Sequence, residues 1–156
     1  MANVFAIVPA RGGSQGIPLK NLKEIDGQPL VSIAANHGLA AQNIDHTVVN
    51  SDHEDIRVAG SQAGAEVMDR PERFTQDDSV QEVDRLLRWC VERLEDDGRE
   101  VDVVVLLYPT APLRTVGTIE EAVAMVVDGG HVSIPVFFKH LLAPQTKANL
   151  RWRPLL

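Results

Sequence analysis

Val4-Phe5-Ala6-Ile7-Val8-Pro9-Ala10-Arg11-Gly12-Gly13-Ser14-Gln15-Gly16-Ile17-Pro18-Leu19-Lys20-Asn21 is the stretch whose reading decides the fold. Val4 to Val8 is an apolar run of strand length. A segment with three glycines follows it directly. Glycine lets the backbone turn sharply and brings its N–H groups close to a ligand. Arg11 and Lys20 bracket the glycines with positive charge. A glycine-rich loop after a strand, flanked by cations, is how α/β proteins hold phosphates. The competing reading is an ordinary strand-to-helix turn with an exposed Arg and Lys.

The spacing excludes the two commonest phosphate loops. A P-loop needs G-x-x-x-x-G-K-[ST], and the second glycine of that pattern would fall on Ile17 or Pro18. The dinucleotide fingerprint G-x-G-x-x-G fits Gly13 and Gly16, but its first glycine would fall on Arg11.

Outward from the loop, apolar runs alternate with helical patterns. A helix is expected over Pro29–Ala41, with Leu30, Ile33, Ala34 and Leu39 mostly on one side. Thr47–Asn50 reads as a short strand, and Ser51-Asp52 as the cap of a helix over Glu54–Ala63. Glu66–Met68 reads as a third strand. Val83, Leu86, Leu87, Cys90, Val91 and Leu94 follow helical spacing up to Asp96-Asp97-Gly98. Val101–Leu107 is almost uniformly apolar, as in a central parallel strand buried on both faces. Thr118 with Glu121 reads as a capping box for a helix ending near Val127. Val132–Phe138 reads as a last strand, interrupted by Pro135. This alternation predicts a mostly parallel sheet with helices on both faces. Ligands of such sheets bind beyond the carboxyl ends of the strands, so the glycine loop and Tyr108–Thr115 belong on one rim.

Composition narrows the function classes. The chain has 156 residues, 44% of them apolar, which is enough for one domain with a real core. Its net charge of −7 disfavours a general nucleic-acid binder. No apolar run approaches the roughly 20 residues of a membrane span, and export is not expected, because the N-terminus lacks a charged segment followed by an apolar signal stretch. Cys90 is the single cysteine, on the apolar side of a predicted helix, and fits a structural thiol in a reducing cytoplasm. The histidines at 37, 46, 53, 131 and 140 show no zinc-site spacing.

Three ordered motifs now carry a resemblance. Val8-Pro9-Ala10-Arg11-Gly12-Gly13-Ser14 with Gly16-Ile17-Pro18, Lys20 and Asn21 resembles the opening motif of the acylneuraminate cytidylyltransferases. These are the CMP-sialic acid synthetases and their relatives for other nonulosonic acids. Arg70-Pro71-Glu72 followed by Asp77 resembles the second motif of that family. Tyr108-Pro109-Thr110-Ala111-Pro112-Leu113-Arg114-Thr115 resembles the third, usually Gln-Pro-Thr-Ser-Pro-Leu-Arg-Thr. The likeness covers about residues 3–138.

The resemblance implies a three-layer α/β/α, Rossmann-like nucleotide-diphospho-sugar transferase fold with a mostly parallel sheet. It implies a nucleotidyltransferase domain over 1–138, with 139–156 as the start of a shortened C-terminal arm. It implies transfer of CMP from CTP to an acidic nine-carbon sugar, with Mg²⁺ as cofactor and a homodimer or higher homo-oligomer in the cytoplasm. Arg11 and Lys20 would act in catalysis by neutralising the triphosphate. Ala10, Arg11, Gly12, Gly13, Ser14, Lys20, Asn21, Arg70, Ser79 and Gln81 would bind the nucleotide. Tyr108, Pro109 and Thr110 would meet the sugar.

The residues also admit plainer roles. Arg70 can pair with Glu72 or Asp69 at the surface. Ser79 can cap the following helix. Tyr108 can pack at a strand end. Arg114 can bind the sugar carboxylate or form a structural ion pair. Two departures from the family pattern stand out, Gln15 for Lys and Tyr108 for Gln. The second changes both shape and hydrogen-bond pattern beside the sugar, so the expected sugar differs from standard N-acetylneuraminate. Metal ligands in the family lie in a later segment that has no counterpart among these residues.

Overall fold

A computed structural model describes residues 1–14, 16–76 and 79–129. Strand β1, Val4–Pro9, is buried along its whole length. It pairs in parallel with β4, His46–Ser51, on one side and with β6, Val103–Leu106, on the other. β5, Glu66–Asp69, extends the sheet beyond β4, also in parallel, giving the order β5-β4-β1-β6. Alternate side chains of a strand face opposite ways. Ala6 and Val8 therefore join one apolar cluster, while Phe5 and Ile7 join another.

The helices divide accordingly. α1, Leu30–Ala40, α2, Glu54–Gln62, and α4, Val116–Val127, place Val31, Ala35, Ile56, Ile119 and Val123 in the first cluster. α3, Val80–Asp96, places Leu86, Cys90, Val91 and Leu94 in the second. The chain runs from β1 through β4 to β5 in one direction, then returns past β1 to form β6. Right-handed crossovers put α1 and α2 on one face and α3 on the other. The strand order thus reverses between β1 and β6, the position where open α/β sheets make a ligand crevice.

Several elements differ from the sequence expectation. Against the sheet, α1 turns Val31, Ala34, Ala35 and Gly38, whereas Leu39 is exposed. The helix is apolar on most of its circumference, so periodicity alone did not single out a face. Close approach selected the small residues: a Cβ on Gly38 would sit 2.6 Å from Thr47 Oγ1. α2 begins after His53 with no side-chain cap. α4 is capped by Thr115, whose side chain accepts from the Thr118 N–H at 3.2 Å, rather than by Thr118. β6 is shorter than Val101–Leu107 and, among the described residues, ends the sheet rather than occupying its centre. The expected strand Val132–Phe138 and the segment 139–156 lie outside the described residues.

One element was missed. β2, Glu24–Ile25, and β3, Gln28–Pro29, form an antiparallel hairpin. Its turn residues Asp26 and Gly27 have φ of 50° and 77°. An Asp-Gly pair is a standard signal for such a turn.

No helix among the described residues is long and apolar enough to cross a membrane.

Candidate nucleotide site at the strand-order reversal

The glycine loop leaves the carboxyl end of β1 and is fastened on two sides. The Ala10 N–H donates to the Asn50 carbonyl at 2.9 Å, which carries the β1–β4 pairing one step further. Asn21 is buried, and its Nδ2 donates to the Arg11 carbonyl at 2.9 Å, tying the end of the loop to its start. This bond commits one of the two Asn21 amide N–H groups to the protein.

Gly12 has a structural reason to be glycine. A Cβ there would sit 2.9 Å from His53 Cβ. Its N–H donates to Asp52 Oδ1 at 2.8 Å. Asp52 therefore does not cap α2; it reaches across to the loop. The Ser14 N–H turns back to the Gly12 carbonyl at 3.1 Å. Of the three N–H groups expected to line a triphosphate, only that of Gly13 is left without a partner among the described residues. Gly13 is exposed, and a Cβ on it would meet nothing within 4 Å. Packing does not require glycine there, whereas close approach of a ligand would. Gln15 lies outside the described residues.

Leu19, in the left-handed region at φ 48°, introduces a short 3₁₀ turn, Lys20–Leu22. A γ-branched residue is uncommon in that region, and the conformation is held by Leu22 N–H to Leu19 O at 2.8 Å. Lys20 follows at once. It is half-buried and has no ion pair among the described residues. Arg11 is also half-buried, and its Nη1 donates to the Thr75 carbonyl at 3.0 Å.

Arg70 comes to the same rim from β5. It is only 6% exposed, so it is not a surface arginine. Its N–H donates to the Ser51 carbonyl, and its Nε and Nη2 both donate to the Phe74 carbonyl. Asp69 pairs instead with Arg57 at 3.0 Å. Arg11 and Arg70 thus grip successive carbonyls of one segment, Phe74 and Thr75. Ser79 is the N-cap of α3, accepting from the Glu82 N–H at 3.4 Å, and Gln81 is exposed in the first helical turn. Asp77 lies outside the described residues.

The second wall follows β6. The Leu107 N–H donates to the Ile7 carbonyl at 2.9 Å, so this loop starts beside the glycine loop. Tyr108 is 40% exposed rather than packed away, Pro109 is buried and Thr110 is exposed. Arg114 Nη2 donates to the Tyr108 carbonyl at 3.0 Å. Among the described residues Arg114 has no carboxylate partner, so its structural role is a clip on this turn rather than an ion pair. Burial lowers its pKa. Burial and the Arg114 charge also hold His37 below the ordinary histidine value.

Cys90 is fully buried in the α3 cluster, and desolvation pushes its thiol up to about 12. It is a structural thiol, protonated and inert. Among the described residues no three His, Cys, Asp or Glu side chains gather to hold a metal. These residues therefore do not fit the carboxylate set that the resemblance implies for Mg²⁺.

The arrangement is that of an α/β protein with a cation-flanked glycine loop at the strand-order reversal, where such sheets form a ligand crevice. The chain belongs to the cytidylyltransferase family, whose model matches residues 5–136. It is 31% identical over 137 residues to an N-acylneuraminate cytidylyltransferase of Oncorhynchus mykiss, covering 85% of this chain and 29% of that protein. It is 32% identical over 118 residues to a pseudaminic acid cytidylyltransferase of Campylobacter jejuni, covering 76% and 50%. A solved CMP:2-keto-3-deoxy-manno-octonic acid synthetase, in complex with CTP, superposes with a TM-score of 0.68 at 21% identity, covering 85% of this chain and 50% of that one. The last likeness shows the fold. The chain spans between 29% and 50% of the length of these two curated relatives.

Proposed function

We propose that this chain carries the nucleotide-binding part of an enzyme that transfers CMP from CTP to an acidic nine-carbon sugar. The observation that supports this most is the adjacency of the glycine loop and the Tyr108–Thr115 loop. They leave the ends of β1 and β6, which are bonded neighbours at the strand-order reversal. Binding of CTP and of nonulosonic acids is suggested by the names of the relatives, not by contacts in this molecule.

In the proposed reaction the anomeric hydroxyl oxygen of the sugar bonds to the α-phosphorus. The α–β phosphoanhydride bond breaks, pyrophosphate leaves and the hydroxyl proton is released. Charge accumulates on the phosphate oxygens, so preorganised cations lower the barrier. Lys20, at the start of its 3₁₀ turn, would follow the leaving pyrophosphate. Arg11 adds a second charge, and the Gly13 N–H a donor. Arg70, Ser79 and Gln81 frame the nucleoside side, and Tyr108 with Thr110 the sugar side. The phenol at 108 favours a sugar other than N-acetylneuraminate.

Pyrophosphate release is the test, with CTP, Mg²⁺ and a panel of nonulosonic acids, with other triphosphates as controls. CTP-dependent release with one acidic sugar is the expected result. Stronger turnover with another triphosphate would overturn the cytidylyl assignment. CTP binding without turnover under any condition would favour a second reading, a nucleotide-binding module.

A further inference from the structure

The turn between β4 and α2 forms an unexpected wall of the glycine loop. Asp52 takes the Gly12 N–H, and His53 packs directly on Gly12. A Cβ added to Gly12 would lie 2.9 Å from His53 Cβ and 3.0 Å from Cδ2, so the imidazole lies alongside the loop. Its backbone is pinned. The His53 N–H donates to Ser51 Oγ at 3.1 Å, and its carbonyl accepts from the Arg57 N–H at 3.2 Å.

Among the described residues, neither ring nitrogen has a hydrogen-bond partner. Nδ1 is buried without a partner, and no group among the described residues bonds to Nε2. A polar ring held rigidly beside a loop, with both nitrogens unengaged, calls for a partner from outside. The local charges say what kind. Asp52 sets a carboxylate against the loop, and Glu54 and Asp55 follow in the first turn of α2. The opposing cations are Arg11 and Lys20 from the loop and Arg57 from α2, whose Nη1 and Nε are committed to the Ser51 carbonyl and to Asp69. An anion arriving on this loop meets a carboxylate, and one more donor beside Gly12 offsets that repulsion.

We propose that His53 is a polyphosphate-binding residue, with Nε2–H donating to a phosphate oxygen of the nucleotide on the glycine loop. The proposal rests on the nucleotidyl-transfer reading above and adds a residue which that reading does not use. The tautomer protonated at Nε2 makes the bond and leaves Nδ1 an acceptor with no proton to place.

The test is calorimetric titration of the full chain and its His53→Phe and His53→Ala variants with CTP, CMP and inorganic tripolyphosphate. Phenylalanine keeps a flat ring on Gly12 and removes both ring nitrogens, the Nε2 donor and the unpartnered Nδ1 acceptor. Both variants are expected to weaken CTP and tripolyphosphate about tenfold, the effect of one hydrogen bond to a charged group. CMP, which lacks the β- and γ-phosphates, should change by less than about twofold. Alanine cannot overpack, so it serves if the Phe variant unfolds. Wild-type CTP affinity in a folded variant would overturn the proposal, as would equal losses for CMP and CTP. If the wild type binds neither CTP nor tripolyphosphate, the nucleotidyl-transfer reading fails first.

Discussion

The α3 flank and the glycine-loop rim handle charge in opposite ways. Along α3 and the adjoining edge, arginines are matched to carboxylates. Arg85 pairs with Glu82 at 2.7 Å, Arg93 with Asp97 at 2.7 Å, and Arg99 with Glu66 at 2.6 Å. On the rim, Lys20 has no ion pair among the described residues, and Arg11 turns its Nη1 to a backbone carbonyl. Exposed ion pairs contribute little to stability, but they leave no net field. A rim that keeps a cation unneutralised, on a chain of net charge −7, concentrates positive potential where the proposed nucleotide phosphates would bind.

Lys20 is where this contrast breaks most visibly. Lys20→Ala should cut pyrophosphate release by about a hundredfold or more, the usual scale for one preorganised electrostatic group. Its melting temperature should stay within about 2 °C, because no described contact of the core depends on that ammonium. Turnover at the wild-type rate would remove Lys20 from the mechanism.

The opposite region should show the converse. Leu86 is fully buried in the α3 cluster, so Leu86→Ala should cost about 3 kcal/mol in denaturant unfolding. KM for CTP should be unchanged in the folded fraction; an equal loss of CTP affinity would mean that the two regions are not separable.

The smallest effect belongs to the surface pair. Hydrogen bonds from Arg99, with a lesser contribution from His46, hold Glu66 below the ordinary carboxylate value of 4.5. A depressed carboxyl pKa stabilises the fold above 4.5 and stops doing so as pH falls through the lower folded value. The side chain is 46% exposed, so solvent screening limits the contribution to about 1 kcal/mol at most. Glu66→Gln should therefore differ from wild type near neutral pH and converge with it in acid. A difference that persists undiminished in acid would assign the effect to packing.

The alternation of strands and helices was legible because its signals are local. β1 is apolar at every position from Val4 to Val8, and α3 repeats its buried residues at Leu86, Cys90 and Leu94. The faces and ends of helices were less legible. The buried side of α1 was set by how closely Gly38 approaches Thr47, and α4 took Thr115 instead of Thr118 as its cap. The Asp26-Gly27 hairpin carries its signal locally, in an Asp-Gly pair that adopts positive φ. In the site, the loop and its two cations were legible from spacing and charge. Asp52 and His53 were not, because their meeting with Gly12 joins residues about 40 positions apart. Nothing in the sequence around either residue records such a contact.

By itself the sequence determined the class of fold, the glycine loop with Arg11 and Lys20, and the family motifs. Each is written in consecutive residues whose polarity and backbone freedom act locally. Tertiary structure alone decided which loop donors stay open and which are taken. Asp52 took the Gly12 N–H, Asn21 closed the loop onto Arg11, and Arg70 went under the rim to the Phe74 carbonyl. Those outcomes depend on strands from distant parts of the chain ending side by side, and hydrogen bonds form only between groups that the fold has brought within about 3 Å of each other.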